Sequence, residues 1–282
     1  LDATTREAMR ASAFDSKLDP AFRAQVLTLP SDLDIACELG ENVDPDAVVG
    51  ARQRAQIEIC KAFGVEGFAN IRALTNLNGG ADHAGIRALK NALLVIMLSD
   101  GGDDAIALAL EQFQNATNMT NRLGALTALL AWKDDHTQVA EALNAYYRGF
   151  EHEPLAIDKW FSVQATVTGE RGLERVQALL GHEAFTLQNP NRARSLLGVF
   201  AMRNLSAFHR ADGAGYEMFA GQVLAIDKFN PQLAARLLTA MNNWRTLESN
   251  RQAKAQDVLL GIAATTGLSR DTSEIVDRCL EE

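Results

Sequence analysis

The 282-residue chain is 47% hydrophobic and 22% charged, with few aromatics, which is a globular rather than a disordered composition. Its formal net charge of −9 argues against a nucleic-acid surface, which needs a clustered cationic face. The longest apolar run, Ala92 to Leu98, is far short of the roughly 20 residues that cross a bilayer.

The chain opens Leu1-Asp2-Ala3-Thr4-Thr5. It lacks the basic-then-apolar order of a signal peptide, and a first residue other than Met suggests a trimmed chain. Asp19-Pro20 and Asp44-Pro45 announce helix starts. The acidic side chain accepts from an orphan N–H, and proline at the first helical position loses nothing by lacking one. The second start feeds a helix through Ile57 and Ile59, on which Cys60 reads as a buried small hydrophobe rather than a reactive thiol. Gly79-Gly80 and Gly101-Gly102 read as stops. Helical periodicity follows at 105–113 (Ile106, Leu108, Leu110, Phe113) and 122–132 (Leu123, Leu126, Leu129, Leu130). After a stop at Gly149, Glu153-Pro154 is a weaker start, and Gly169 is a further stop. The segment 172–180 repeats the pattern with Leu173, Val176, Leu179 and Leu180. Asn189-Pro190 and Asn230-Pro231 are strong starts, the second predicting a helix over 231–244. Gly213 and Gly267 are stops.

No segment alternates as a strand does. The expectation is an all-α chain of about fifteen helices of roughly 9 to 20 residues with short loops. The two Asn-Pro starts lie 41 residues apart, each followed by an arginine and a Leu-Leu pair: Arg194 with Leu196-Leu197, and Arg236 with Leu237-Leu238. That spacing suits a stack of paired antiparallel helices of the armadillo or HEAT kind, curved into a superhelix. No linker or low-complexity tract interrupts 1–282, so a single domain is expected.

A helical zinc protease needs HExxH, which places two imidazoles one turn apart. His182-Glu183-Ala184-Phe185-Thr186 begins that pattern and ends in Thr; His152-Glu153-Pro154-Leu155-Ala156 ends in Ala with a proline inside. Cys37, Cys60 and Cys279 are far apart, which suits a reducing cytoplasm and offers no ligand pair. No metal site and no cofactor are expected in this chain. There is also no GxSxG elbow and no Gly-rich phosphate loop. A triad assembled from distant residues stays open, and with it a metal-free hydrolase.

Two segments carry less conventional chemistry. In Asn189-Pro190-Asn191-Arg192-Ala193-Arg194, two cations fall within the first turn and a half of a helix, where the macrodipole is already positive and no acid compensates. Arg236 repeats the arrangement one residue further into its helix. Such cations call for an anion, supplied either by Asp158, Asp227 or Glu217 within the chain or by a ligand. Trp160, in Asp158-Lys159-Trp160-Phe161, reads as a core anchor or a channel lining. The stretch Phe208 to Tyr216 reads as a loop, in which Gly213 and Gly215 permit unusual backbone angles before a new helix, or as a channel lining.

These segments carry a resemblance. Asp158-Lys159-Trp160-Phe161 with Gln164-Ala165-Thr166, Phe185-Thr186, Asn189-Pro190-Asn191-Arg192 and Arg194-Ser195-Leu196 resemble the C-terminal domain of the bacterial aminopeptidase N family. So do Phe208-His209, Asp212-Gly213, Gly215-Tyr216 and Asn230-Pro231-Gln232. Upstream, Leu27-Thr28-Leu29-Pro30-Ser31 and Asn118-Met119-Thr120 fit in the same order. The match is loose at 240–244 and after Glu248, and 66–85 is unfamiliar. The resemblance implies part of a zinc exopeptidase that removes N-terminal residues from peptides. It also implies that zinc belongs to a catalytic domain absent here, leaving this chain without catalytic residues and inactive alone. The implied partners are the N-terminal and catalytic domains of the same cytoplasmic polypeptide and peptide substrates, with no nucleic acid and no membrane. The implied role is a superhelix that caps the active site and lines its cavity. There the arginines matching Arg194 and Arg236 meet the carboxylate end of a peptide, with Asn189, Trp160 and Tyr216 as lesser candidates. The competing expectation is a stand-alone helical-repeat scaffold that binds a protein partner.

Overall fold

The computed structural model describes residues 1–75, 83–100 and 102–281; the stops read at Gly79-Gly80 and Gly101 lie outside the described residues. Seventeen α-helical segments make up the described chain, and no strand forms among the described residues. One isolated parallel bridge joins Val43 to Leu247. The chain is all-α, and it divides into two compact units, Leu1–Pro30 with Gly50–Gly149 and Ser31–Val49 with Phe150–Glu282.

The first unit contains α1 (Ala3–Phe14), α2 (Pro20–Val26), α5 (Ala84–Leu98), α6 (Asp103–Asn115), α7 (Met119–Lys133) and α8, which runs Thr137–Phe150. It also holds most of α4 (Pro45–Thr75), which breaks at Gly64, where φ is 49° and ψ −139°. The apolar run that is too short for a membrane forms the last turns of α5. There Leu93, Leu94, Ile96, Met97 and Leu98 are all buried, against α2 and α7. Cys60 is buried, its Sγ 3.6 Å from the Met97 carbonyl, and burial pushes the thiol pKa up. It is a packed thiol, as its helical context predicts.

The second unit begins with α3 (Asp32–Leu39), opened by a capping box in which Ser31 and Asp34 satisfy each other's backbone N–H groups. It continues with α9 (Pro154–Gln164), α10 (Glu170–Leu180), α11 (Pro190–Ala193), α12 (Val199–Arg203) and α13 (Leu205–Phe208). Helices α14 (Ala214–Asp227), α15 (Pro231–Leu238), α16 (Ser249–Ala263) and α17 (Arg270–Glu281) follow. Phe208 is its centre, edge-on to Phe200, Tyr216 and Phe219 at 5.7, 5.4 and 5.2 Å between ring centroids. Buried Asn204 donates to the Ala165 and Val167 carbonyls at 2.9 and 2.7 Å, holding the turn after α9. Gly215 is required by close approach: a Cβ there would stand 2.2 Å from the Phe208 carbonyl oxygen.

The helix starts follow the sequence. Asp19, Asp44, Asn189 and Asn230 each accept backbone N–H bonds at the head of a helix whose first residue is proline, while Glu153 caps α9 without a side-chain bond. The stops are less faithful. Gly149 lies inside α8. Gly169 and Gly213, with φ of 74° and 81°, sit at the entrances of α10 and α14. A left-handed glycine redirects the chain equally well before a helix as after one. The helix expected over 231–244 ends at Leu238 and gives way to 3₁₀ turns at Thr239–Met241 and Trp244–Thr246. The Thr239 hydroxyl donates to the Arg236 carbonyl at 2.7 Å, taking an acceptor that would continue the helix.

Candidate functional site

The Asn189-Pro190 start sorts its two arginines into different environments. Asn189 Oδ1 accepts from the Asn191 and Arg192 N–H groups at 3.0 and 3.3 Å, which fixes the first turn of α11. Arg192 turns inward. Its Nε donates to Asp158 Oδ1 at 2.6 Å, with side chains 8% and 13% exposed. The guanidinium lies 5.0 Å over the Phe161 ring and also donates to the Ala184 carbonyl. Of the three carboxylates considered as intramolecular partners, Asp158 is therefore taken by Arg192. Asp227 is taken by the Ser269 backbone and hydroxyl and by Thr272 Oγ1, and Glu217 is exposed.

Arg194 turns outward. It begins a five-residue π-helical segment, Arg194–Gly198, in which the Val199 N–H bonds to the Arg194 carbonyl. The Ser195 hydroxyl takes the Asn191 carbonyl at 2.7 Å, and such widened turns recur at functional positions. The Arg194 guanidinium makes one long hydrogen bond among the described residues, to Asn191 Oδ1 at 3.5 Å, and the side chain is exposed. The segment packs on α9 and α15; Gly198 faces Leu237, whose Cδ2 would lie 3.4 Å from an added Cβ. Arg236 precedes Leu237 on α15 and is likewise exposed. Among the described residues neither Arg194 nor Arg236 forms an ion pair.

The lesser candidates lie deeper. Trp160 is buried, 5.1 Å from Phe161 and 5.0 Å from the His182 ring. Tyr216 is fully buried and its hydroxyl meets His209 Nδ1 at 2.9 Å.

One cluster in the tail has no counterpart in the sequence reading. Arg251, with a side chain 5% exposed, pairs with Asp46 at 2.5 Å, Glu248 at 3.1 Å and Asp44 at 3.4 Å. It also donates to the His209 carbonyl. Burial, and then the Arg251 charge, push the His209 pKa down to about 3, so the imidazole is neutral. The only sequence signal was Glu248, which caps α16 two and three residues before Asn250 and Arg251.

Among the described residues no three His, Cys, Asp or Glu side chains converge. His182 Nδ1 is occupied by the Ala184 N–H at 3.1 Å, and His152 is exposed. These described side chains do not assemble a zinc site. Nor is any described helix long and apolar enough to cross a membrane.

A family model described as a domain of unknown function of ARM repeats, DUF3458_C, matches residues 1–281. The chain is 34% identical over 278 residues to aminopeptidase N of Caulobacter vibrioides, covering 97% of this chain and 32% of that protein. It is 35% identical over 277 residues to aminopeptidase N of Escherichia coli, covering 97% and 31%. The crystal structure of Legionella pneumophila aminopeptidase A in complex with aspartic acid superposes with a TM-score of 0.89 at 27% identity. That match covers 99% of this chain and 34% of that one. The chain thus spans about a third of the length of the relatives it matches. With helical units throughout and a family match from end to end, this chain belongs to the ARM-repeat family DUF3458_C, as a C-terminal domain of the aminopeptidase N type.

Proposed function

We propose that residues 1–282 act as one domain of a zinc-dependent aminopeptidase, a cytoplasmic hydrolase that removes N-terminal residues from peptides. Its partners in this reading are the N-terminal and catalytic domains of the same polypeptide, which hold the zinc, and the peptide substrate. The chain closes over the active site and lines the substrate cavity, contributing no catalytic residue and no metal ligand. Arg194 and Arg236 receive the carboxylate end of the peptide. Asn189 fixes the start of Arg194's helix. Trp160 and Tyr216 are the lesser candidates for lining the cavity, on α9, which packs on the π segment, and on α14, which packs on α15.

The observation that carries this reading is the sorting of cations: Arg192 has a buried carboxylate, while Arg194 and Arg236 are exposed and without one. A guanidinium fork matches a carboxylate in two parallel hydrogen bonds. The relatives this chain matches are aminopeptidases, and a peptide substrate carries such a group at its far end. The coding sequence upstream of Leu1 and the zinc content of its product test the reading. A reading frame continuing through an HExxH helix, with zinc and amino-acid amide hydrolysis in the long product, is expected. A frame starting near Leu1, or zinc-dependent hydrolysis by residues 1–282 alone, would contradict it and favour a scaffold or an independent hydrolase.

A further inference from the structure

The second unit contains a cavity of about 320 Å³ that the peptide-binding reading does not use. Its apolar wall is Leu33 and Ala36 of α3, Met202 of α12, Leu205 of α13, and Leu247. No Asp, Glu, Lys or Arg lines it, so it offers no charge to a charged ligand. Four polar side chains remain. The hydroxyls of Thr239 and Thr246 are spent on the Arg236 and Asn243 carbonyls at 2.7 and 2.8 Å. His209 and Asn243 therefore set the polar chemistry.

The hydrogen bond behind His209 fixes which proton it presents. Tyr216 is fully buried, and its hydroxyl has one partner among the described residues, His209 Nδ1. A phenol donating there leaves no buried proton orphaned, whereas the reverse arrangement would. Nδ1 is then the acceptor, and the neutral ring carries its proton on Nε2. Nε2 has no partner among the described residues, and it belongs to a half-buried residue of the cavity wall. The Asn243 carboxamide, exposed at the rim, is also unengaged by any described residue. A cavity in this size range with an apolar wall and one or two unengaged polar groups is the ordinary form of a small-molecule site.

We infer that this cavity binds a small neutral ligand with an aromatic or branched apolar body and one carbonyl oxygen, held by His209 Nε2–H. The site is separate from Arg194 and Arg236 in its lining and in its chemistry, and does not depend on their role. Cys37, exposed and part of the lining, reports its occupancy.

The test is alkylation of Cys37 by iodoacetamide in the full polypeptide, followed by mass spectrometry, with acetanilide as probe. Benzoate and benzylamine serve as charged probes of similar size. Acetanilide at ten times its Kd is expected to slow Cys37 alkylation by about tenfold, as mass action requires, while the charged probes leave it unchanged. His209→Phe keeps an aromatic ring on the wall and removes the donor, and should weaken protection. Met202→Trp, at an exposed position of the wall, should abolish it while leaving the helical circular dichroism intact. Three results would overturn the inference: no effect of acetanilide, equal protection by all three probes, or a Cys37 already shielded before any probe is added. The last would show the cavity to be covered by the rest of the polypeptide.

Discussion

Replacing Asp158 by alanine separates the buried cation Arg192 from the exposed Arg194. The Asp158–Arg192 pair spans 2.6 Å between side chains that are both nearly out of solvent. Without the carboxylate, Arg192 keeps its charge with only the Ala184 carbonyl and the Phe161 ring for company. Breaking a buried pair from one side costs about 3–5 kcal/mol, because the surviving charge stays desolvated. With a urea m-value of about 2 kcal/mol per M, the midpoint falls by about 1.5–2.5 M. Urea titration followed by tryptophan fluorescence, to which Trp160 and Trp244 of the second unit and Trp132 of the first contribute, reads this. Arg194→Ala, at an exposed position five residues beyond the Asn189 cap, should stay within about 0.5 kcal/mol of the parent. The pair replacement Asp158→Leu with Arg192→Met should recover most of the loss, since apolar groups of similar volume need no partner. A midpoint shift under about 0.25 M for Asp158→Ala, or an Arg194→Ala shift as large as the Asp158→Ala one, would refute the assignment.

Other expectations follow from the same geometry. His209 is held near pKa 3 in the fold, against about 6.5 in an unfolded chain. The unfolded state therefore binds the extra proton in that interval, and stability falls as pH drops from about 6.5 towards 3. His209→Phe should flatten the urea midpoint against pH over that interval; an unchanged slope would show that the ring does not carry it. Asp227 ties α14 to the head of α17 through Ser269 and Thr272. Asp227→Ala should cost about 2 kcal/mol and speed amide hydrogen exchange of α17 about 30-fold, with smaller changes in α10. Gly172→Ala and Gly215→Ala each place a Cβ against a backbone carbonyl, at 2.0 and 2.2 Å. Each should lower the midpoint more than Gly221→Ala, where a Cβ meets nothing within 4 Å.

The helical class and the helix starts were legible because capping is a local event: an Asn or Asp oxygen finds N–H groups two or three residues on, whatever the rest of the chain does. Exits were less so. Gly169 and Gly213 have the backbone angle expected of a stop but stand before helices, and Thr239 ends α15 through a hydroxyl contact that periodicity does not register. The π segment at Arg194–Gly198 is invisible to a 3.6-residue pattern, since Leu196 and Leu197 are buried in either geometry. Of the three candidate acids only Asp158 meets one of these cations, and sequence could not say that it faces Arg192 rather than Arg194. That choice turns on which side of one helical turn meets α9. The Arg251 cluster joins residues some 200 apart in sequence, which no local pattern could bring together.

Arg194 and Arg236 are proposed to recognise a peptide's terminal carboxylate. The most direct measurement compares KM and kcat of the full enzyme for a peptide and for its C-terminal amide, in the parent and in Arg194→Ala and Arg236→Ala. Losing a charge-assisted bond of about 1.5–3 kcal/mol should raise KM for the free acid roughly 10- to 100-fold per arginine, with the amide nearly unaffected. Equal losses on both substrates, or none on the free acid, would rule out carboxylate recognition by these two arginines.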